Sequence, residues 1–193
     1  MTTTVADQRR MALSARRRLP EGVRKAAAHR ACRRLSRLPV VRRARRIGIY
    51  HPLASEIDIT RLVHLLPSAA HIYYPRVEDS RLRFVAPTSR GHTTWRTSAL
   101  GVAEPNGRSY HVATLDVLIM PLAGFDARAA RIGLGGGYYD RTLAALRATA
   151  YRGPMRIGFA FEAQRLAHIE ARPWDVPLDA VVTERRVYRP ATR

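Results

Sequence analysis

Strand-like and helix-like segments alternate along this 193-residue chain. That alternation predicts an α/β fold: one Rossmann-like three-layer domain with a mostly parallel central sheet and an N-terminal helical segment. Two further observations support it. The run Leu115–Met120 (LDVLIM) is largely apolar, as expected of a strand covered on both faces by helices. Turn residues and candidate ligand contacts also gather after the strand patterns, at the carboxyl ends where such sheets bind ligands.

The elements follow in order. Asp7–Arg18 and Glu21–Leu38 read as helices separated by Leu19-Pro20, the second with a loose stripe of Val23, Ala27, Cys32, Leu35 and Leu38. Arg46–Tyr50 (RIGIY) reads as a short strand ending at His51-Pro52. Thr60–Leu66 reads as a helix that Pro67 stops. His71–Tyr74 is a strand ending at Pro75, and Leu82–Val85 is a strand nearer an edge. Residues 88–112 are polar and read as irregular. Asp116–Met120 is the most apolar strand and the expected centre of the sheet. Tyr138–Leu146 reads as a helix, Arg156–Phe161 and Ala180–Thr183 as strands, and Arg186–Tyr188 as an edge strand. No repeat or low-complexity linker divides the chain, so a single domain over residues 1–193 is expected.

Composition narrows the function classes. No apolar stretch is long enough to span a membrane. The single cysteine, Cys32, excludes an internal disulfide and points to a reducing, cytoplasmic setting. The formal net charge is +19, and of 34 basic residues only Lys25 is a lysine. Between Arg9 and Arg46 stand fifteen basic residues against one acid, Glu21. Such a field attracts polyanions in general. The same stretch holds no Phe, Tyr or Trp and no nucleic-acid reading motif, so no specific nucleic-acid partner is expected. Asp7 and Glu21 interrupt the Arg-rich start and argue against a transit peptide.

The most informative segment is Pro121–Arg141, PLAGFDARAARIGLGGGYYDR. It holds four glycines in five positions, Gly133, Gly135, Gly136 and Gly137, before a helical pattern that starts near Tyr138. A glycine-rich turn between strand and helix presents backbone N–H groups on a concave surface, a ready site for phosphate. Arg131 and Arg141 flank it with positive charge, and Asp140 is placed to hold a metal ion. No Lys-Ser/Thr follows the glycines, so this is not a Walker A loop. The strand ends too early for a clean dinucleotide fingerprint.

The run LDVLIMPLAGFD…RIGLGGGYYDR resembles the signature of the 5-formyltetrahydrofolate cyclo-ligases, also called 5,10-methenyltetrahydrofolate synthetases. Further blocks occur in the family's order: IGIYHPLASEIDITRLV, YYPRV, GVAEPNG, IGFAFEAQ and PWDVPLDAVVTE. The resemblance implies ATP- and Mg2+-dependent cyclisation of 5-formyltetrahydrofolate to 5,10-methenyltetrahydrofolate, with release of ADP and phosphate, by a cytoplasmic monomer. It implies roles for particular residues. Arg131 and the Gly133, Leu134, Gly135, Gly136 and Gly137 backbone would cradle the ATP phosphates, with Arg9 reaching in from the N-terminal helix. Tyr138 and Tyr139 would close the helical end of the loop, and Tyr139 would border the folate. Asp140 would bind magnesium, with Asp179 as the second acid near the metal and Asp175 as the alternative. Glu56 would contact the pterin ring, whose amino and ring N–H donors suit a carboxylate. His51 would line the folate site. Arg131, Tyr138 and Asp140 form the implied catalytic group. Trp174 is expected to pack.

Two positions depart from the family pattern. Val5 stands where a lysine usually faces the nucleotide, and Arg10 is the nearest substitute. Ala129 stands where the turn after Phe125-Asp126 usually has a glycine; a positive φ there would strain an alanine.

Overall fold

The computed structural model describes residues 4–87, 94–98, 101–146, 153–172 and 174–190. Helices α1 (Val5–Arg17), α2 (Glu21–Ser36) and α3 (Pro39–Arg43) lead into strand β1 (Arg46–Gly48). A 3-10 segment, Thr60–Leu65, precedes β2 (His71–Glu78) and β3 (Arg81–Val85). Three short strands follow: β4 (Trp95–Thr97), β5 (Ala103–Pro105) and β6 (Ser109–Tyr110). Then come β7 (Val117–Pro121), the small strands β8 (Gly124–Phe125) and β9 (Arg131–Ile132), and α4 (Tyr138–Ala144). The chain finishes with β10 (Met155–Phe159), β11 (Ala180–Val182) and β12 (Val187–Tyr188).

Eight of these strands form one sheet in the order β12-β11-β10-β7-β1-β2-β3-β6. The five strands from β11 to β2 are parallel; β12, β3 and β6 add antiparallel margins. The α/β class and the mostly parallel sheet are those predicted. β7 is central, and its residues Val117–Met120 are all buried. Val117 and Ile119 face one core with α2, α3 and the 3-10 segment, whereas Leu118 and Met120 face a second core with Phe84, Leu143 and Val181.

Several boundaries differ from the sequence reading, each for a local reason. β2 runs through Pro75 to Glu78. Its pairing with β1 stops at Tyr73, so beyond that point no β1 acceptor calls for the N–H that proline lacks. The second helix ends at Ser36, because Pro39 starts α3 at the position where a missing N–H costs nothing. Its buried stripe is Ala27, Ala28, Ala31, Cys32 and Leu35, while Val23 is exposed. Thr60–Leu65 is 3-10 rather than α. Part of 88–112 lies outside the described residues, yet the rest carries β4–β6. The β4–β5 hairpin is anchored by the buried Glu104, which pairs with Arg96 and accepts the Val77 N–H at 3.0 Å.

α1 is capped by Thr4, whose hydroxyl accepts the Asp7 N–H at 3.1 Å. It lies over β8, where Gly124 permits the approach: a Cβ there would meet Ala12 at 3.1 Å. This contact brings the N-terminal helix to the carboxyl side of the sheet, and with it Arg9 and Arg16.

Candidate active site

The glycine loop does not follow β7 directly. The β8–β9 hairpin intervenes, and its turn is built on Asp126. That buried carboxylate accepts the backbone N–H groups of Arg128 (2.9 Å), Ala130 (3.0 Å) and Ile169 (3.1 Å), and pairs with the Arg128 guanidinium. Ala129, inside this turn, has φ 62°. The position therefore needs the left-handed conformation, and alanine holds it at a cost that a glycine would avoid. The hairpin delivers Arg131 to the start of the loop.

Within the loop Gly135 (φ 113°) and Gly137 (φ 65°) use conformations that favour glycine. Gly137 is the N-cap of α4. Among the described residues, the backbone N–H groups of Gly133 through Gly137 make no hydrogen bond, whereas three loop carbonyls are taken, Gly137 O by the Arg141 N–H at 3.0 Å and two others by arginine side chains. Gly133 O accepts Arg9 Nε at 2.9 Å, and Gly136 O accepts Arg141 Nη2 at 2.7 Å. The carbonyls are thus held by arginines and the N–H groups left for an anion. α4 spans seven residues, so its dipole adds less than the loop amides themselves.

Two cavities flank the loop, and Arg131, Gly133, Gly137 and Asp140 line both. One, of about 360 Å³, is charged: Arg9, Arg141, Glu170, Arg172 and Trp174 stand in its wall. The other, of about 350 Å³, is mainly apolar and includes Tyr50, His51, Glu56, Leu134, Tyr138 and Tyr139. Arg131 is almost fully buried, pairs with Asp140, and leaves Nε without a partner. Asp140 Oδ1 also accepts the Val176 N–H at 3.2 Å.

Glu56 closes the apolar cavity. Its Oε2 accepts the Leu53 N–H at 2.9 Å, which folds 53–56 into a turn, and its buried Oε1 has no partner. Burial pushes the carboxyl above the ordinary range, against the pull of the Leu53 N–H and the Arg16 charge. Burial and the Glu56 charge also push the Tyr139 hydroxyl well up, so it stays a proton donor. His51 packs against Tyr74 and Trp95, with ring centroids 6.4 and 6.0 Å apart. Tyr138 is pinned by the Arg141 guanidinium, 4.9 Å from its ring.

The structure thus brings together Arg9, His51, Glu56, Arg131, Gly133–Gly137, Tyr138, Tyr139 and Asp140. It does not bring Asp179 there. Asp179 lies at the amino end of β11, where it accepts Arg156 N (2.7 Å) and pairs with the Arg156 side chain, so the expectation of a second metal acid at 179 is corrected. Asp175 lines the charged cavity, and its Oδ2 accepts the Arg172 N–H at 2.9 Å. Arg10 is turned to solvent against Asp7, while Val5 faces the charged cavity. Trp174 does not pack: it is 61% exposed. Arg16 went unsingled in the sequence although it lies two turns from Arg9 on the same helix face. Cys32 is buried and its thiol is pushed up to about 12, as befits a passive residue.

A parallel sheet opening at its carboxyl ends onto a glycine loop and two clefts is the architecture of an α/β enzyme. Residues 3–184 match the profile described as the 5-formyltetrahydrofolate cyclo-ligase family. A 5-formyltetrahydrofolate cyclo-ligase of Escherichia coli is 30% identical over 193 residues, covering 94% of this chain and 97% of that one. One from Mycolicibacterium smegmatis is 31% identical, with 90% of each covered. The NMR structure of Aquifex aeolicus 5,10-methenyltetrahydrofolate synthetase superposes with a TM-score of 0.83 at 26% identity, over 98% of this chain and 94% of that one. The chain belongs to the 5-formyltetrahydrofolate cyclo-ligase family, and it is a ligase acting on a folate. Among the described residues, no helix is long and apolar enough to cross a membrane.

Proposed function

We propose that the protein cyclises 5-formyltetrahydrofolate to 5,10-methenyltetrahydrofolate at the expense of ATP, releasing ADP and phosphate. The observation that carries this reading is the loop shared by a charged cavity and an apolar one, with Arg131 and Asp140 on both sides. ATP occupies the charged cavity with its phosphates on the loop N–H groups and Arg9. The pterin occupies the apolar cavity with its N–H donors on the free Oε1 of Glu56.

The chemistry follows from that placement. A formyl oxygen is a poor leaving group. Transfer of the γ-phosphoryl group breaks its bond to the β-phosphate oxygen and forms one to the formyl oxygen, leaving ADP. The second folate amine, N10, then attacks the formyl carbon and loses its proton. The ring closes as phosphate departs with the former formyl oxygen. No side-chain nucleophile is required. Arg131 stabilises the charge on the phosphoryl oxygens in transit, and the loop aligns the two substrates. Arg131 exchanges its Asp140 partner for phosphate when the nucleotide binds. Asp140 would then be free to hold magnesium. One carboxylate suffices for an ion that keeps most of its waters, and no cluster of three or more His, Cys, Asp or Glu stands among the described residues. The ion would supply charge neutralisation at the phosphates. We place the reaction in the cytoplasm.

The test is the near-ultraviolet absorbance of methenyltetrahydrofolate, formed from 5-formyltetrahydrofolate and magnesium with and without ATP. Product that requires ATP and disappears in Asp140→Ala supports the reading. Folded protein that binds ATP yet forms no product overturns it.

A further inference from the structure

The chain has two tryptophans, and both are exposed. Trp95 belongs to the apolar side, against His51 and Tyr74. Trp174 belongs to the charged side. It is the most exposed of the large hydrophobic side chains described, at 61%, and it lines the same cavity as Arg9, Arg131 and the glycines. A solvated indole is costly to maintain, and none of the three hydrophobic clusters among the described residues includes this one. The described residues around it are hydrogen-bonded. Asp175 beside it accepts the Arg172 N–H at 2.9 Å, and the next residue, Val176, donates to Asp140 at 3.2 Å. The Arg172 guanidinium lies over the indole, 5.7 Å from its centroid, so a cation takes part of one face of a ring that is otherwise largely exposed. Trp174, Asp175 and Val176 therefore carry a flat aromatic surface to the acid at the end of the glycine loop.

We infer that Trp174 is the platform on which the base of the bound nucleotide stacks. The loop and arginines of this cavity recognise phosphate, which every nucleoside triphosphate and inorganic polyphosphate shares. Among the described residues of the wall, Trp174 alone offers an aromatic surface to a heterocycle. Base–aromatic stacking supplies that missing recognition, and a rim position lets the base lie on the indole while the phosphates reach inward. The inference rests on the nucleotide assignment of the charged cavity and adds to it the residue that separates a nucleotide from a bare polyphosphate.

The experiment uses Trp95→Phe, which leaves Trp174 as the only tryptophan, and titrates it with Mg-ATP and with Mg-tripolyphosphate. Emission should fall with ATP and stay level with tripolyphosphate. By calorimetry on the otherwise native chain, Trp174→Ala should weaken ATP binding about 5- to 100-fold. The same variant should leave tripolyphosphate binding within about twofold, and Trp174→Phe should restore most of the ATP affinity. ATP bound by Trp174→Ala as tightly as by the native chain overturns the inference and leaves the ligase reading intact. Equal losses for ATP and tripolyphosphate also overturn it, since the residue would then only shape the phosphate site. A native chain that binds no ATP overturns both.

Discussion

The free oxygen of Glu56 makes a prediction in which function and stability move in opposite directions. In Glu56→Gln the side chain keeps its shape. The Leu53 N–H needs an acceptor at the position of Oε2, so the amide oxygen stays there and the amide NH2 takes the place of Oε1. A donor then faces the N–H donors of the pterin. One charge-assisted hydrogen bond is worth about 1.5–3 kcal/mol, so folate affinity should fall about 10- to 100-fold. ATP affinity should hold, because Glu56 does not line the charged cavity.

Stability moves the other way. Burial raises the folded-state pKa of Glu56 above its unfolded value. The folded protein thus binds the proton more tightly, and the ionised carboxylate is a cost that appears as pH rises through the folded value. Glutamine, always neutral, escapes that cost. The variant should melt at a higher temperature than the native chain at neutral pH. The gap should close as pH falls through the raised folded pKa toward the unfolded one. Calorimetric titration with 5-formyltetrahydrofolate and thermal unfolding across that range test both halves. A variant that loses folate affinity and stability together would point to damage in the 53–56 turn. One that binds folate normally would refute the pterin role.

Three further outcomes are expected. Gly137→Ala places a side chain at φ 65° with its Cβ 2.7 Å from Arg141 Nη1, so unfolding should become easier by about 1–2 kcal/mol and nucleotide binding should weaken more than folate binding, read by titrating each ligand. Asp126→Asn loses the charge that gathers three N–H groups and Arg128; a loss of about 2–3 kcal/mol in denaturant unfolding is expected, with a higher KM for ATP because Ile169 and Ile132 of the charged cavity hang on that turn. Val5→Lys adds a cation to the same cavity, and should tighten ATP binding about three- to tenfold at low salt with the gain shrinking as salt rises, measured by calorimetry at two ionic strengths.

What was legible in the sequence is what depends on local chemistry. The apolar run through Ile119 reads as a buried strand, and four glycines beside Arg131 read as a strand-to-helix turn, in which Gly135 and Gly137 do take positive φ. What was not legible depends on which groups meet across the fold. Asp140 and Asp179 look alike along the chain, as acids near turns. One stands at the carboxyl end of the sheet and the other at the amino end of β11, held by Arg156, and only strand direction separates them. Trp174 reads as a packing residue because tryptophan usually is one; its exposure depends on its place at the wall of the charged cavity. Ala129 lies between these cases. Its identity signalled strain only if the turn demanded a positive φ, and that demand comes from Asp126 collecting Arg128 and Ala130 on one carboxylate. The strain is local, but its cause is the placement of Arg131, which the hairpin has to deliver to a loop facing two ligands. A chain that tolerates alanine there spends about 1–2 kcal/mol of backbone strain to keep that geometry. The turn is therefore held by its polar contacts rather than by glycine's freedom, which makes Asp126 more important here than at a site where residue 129 is glycine.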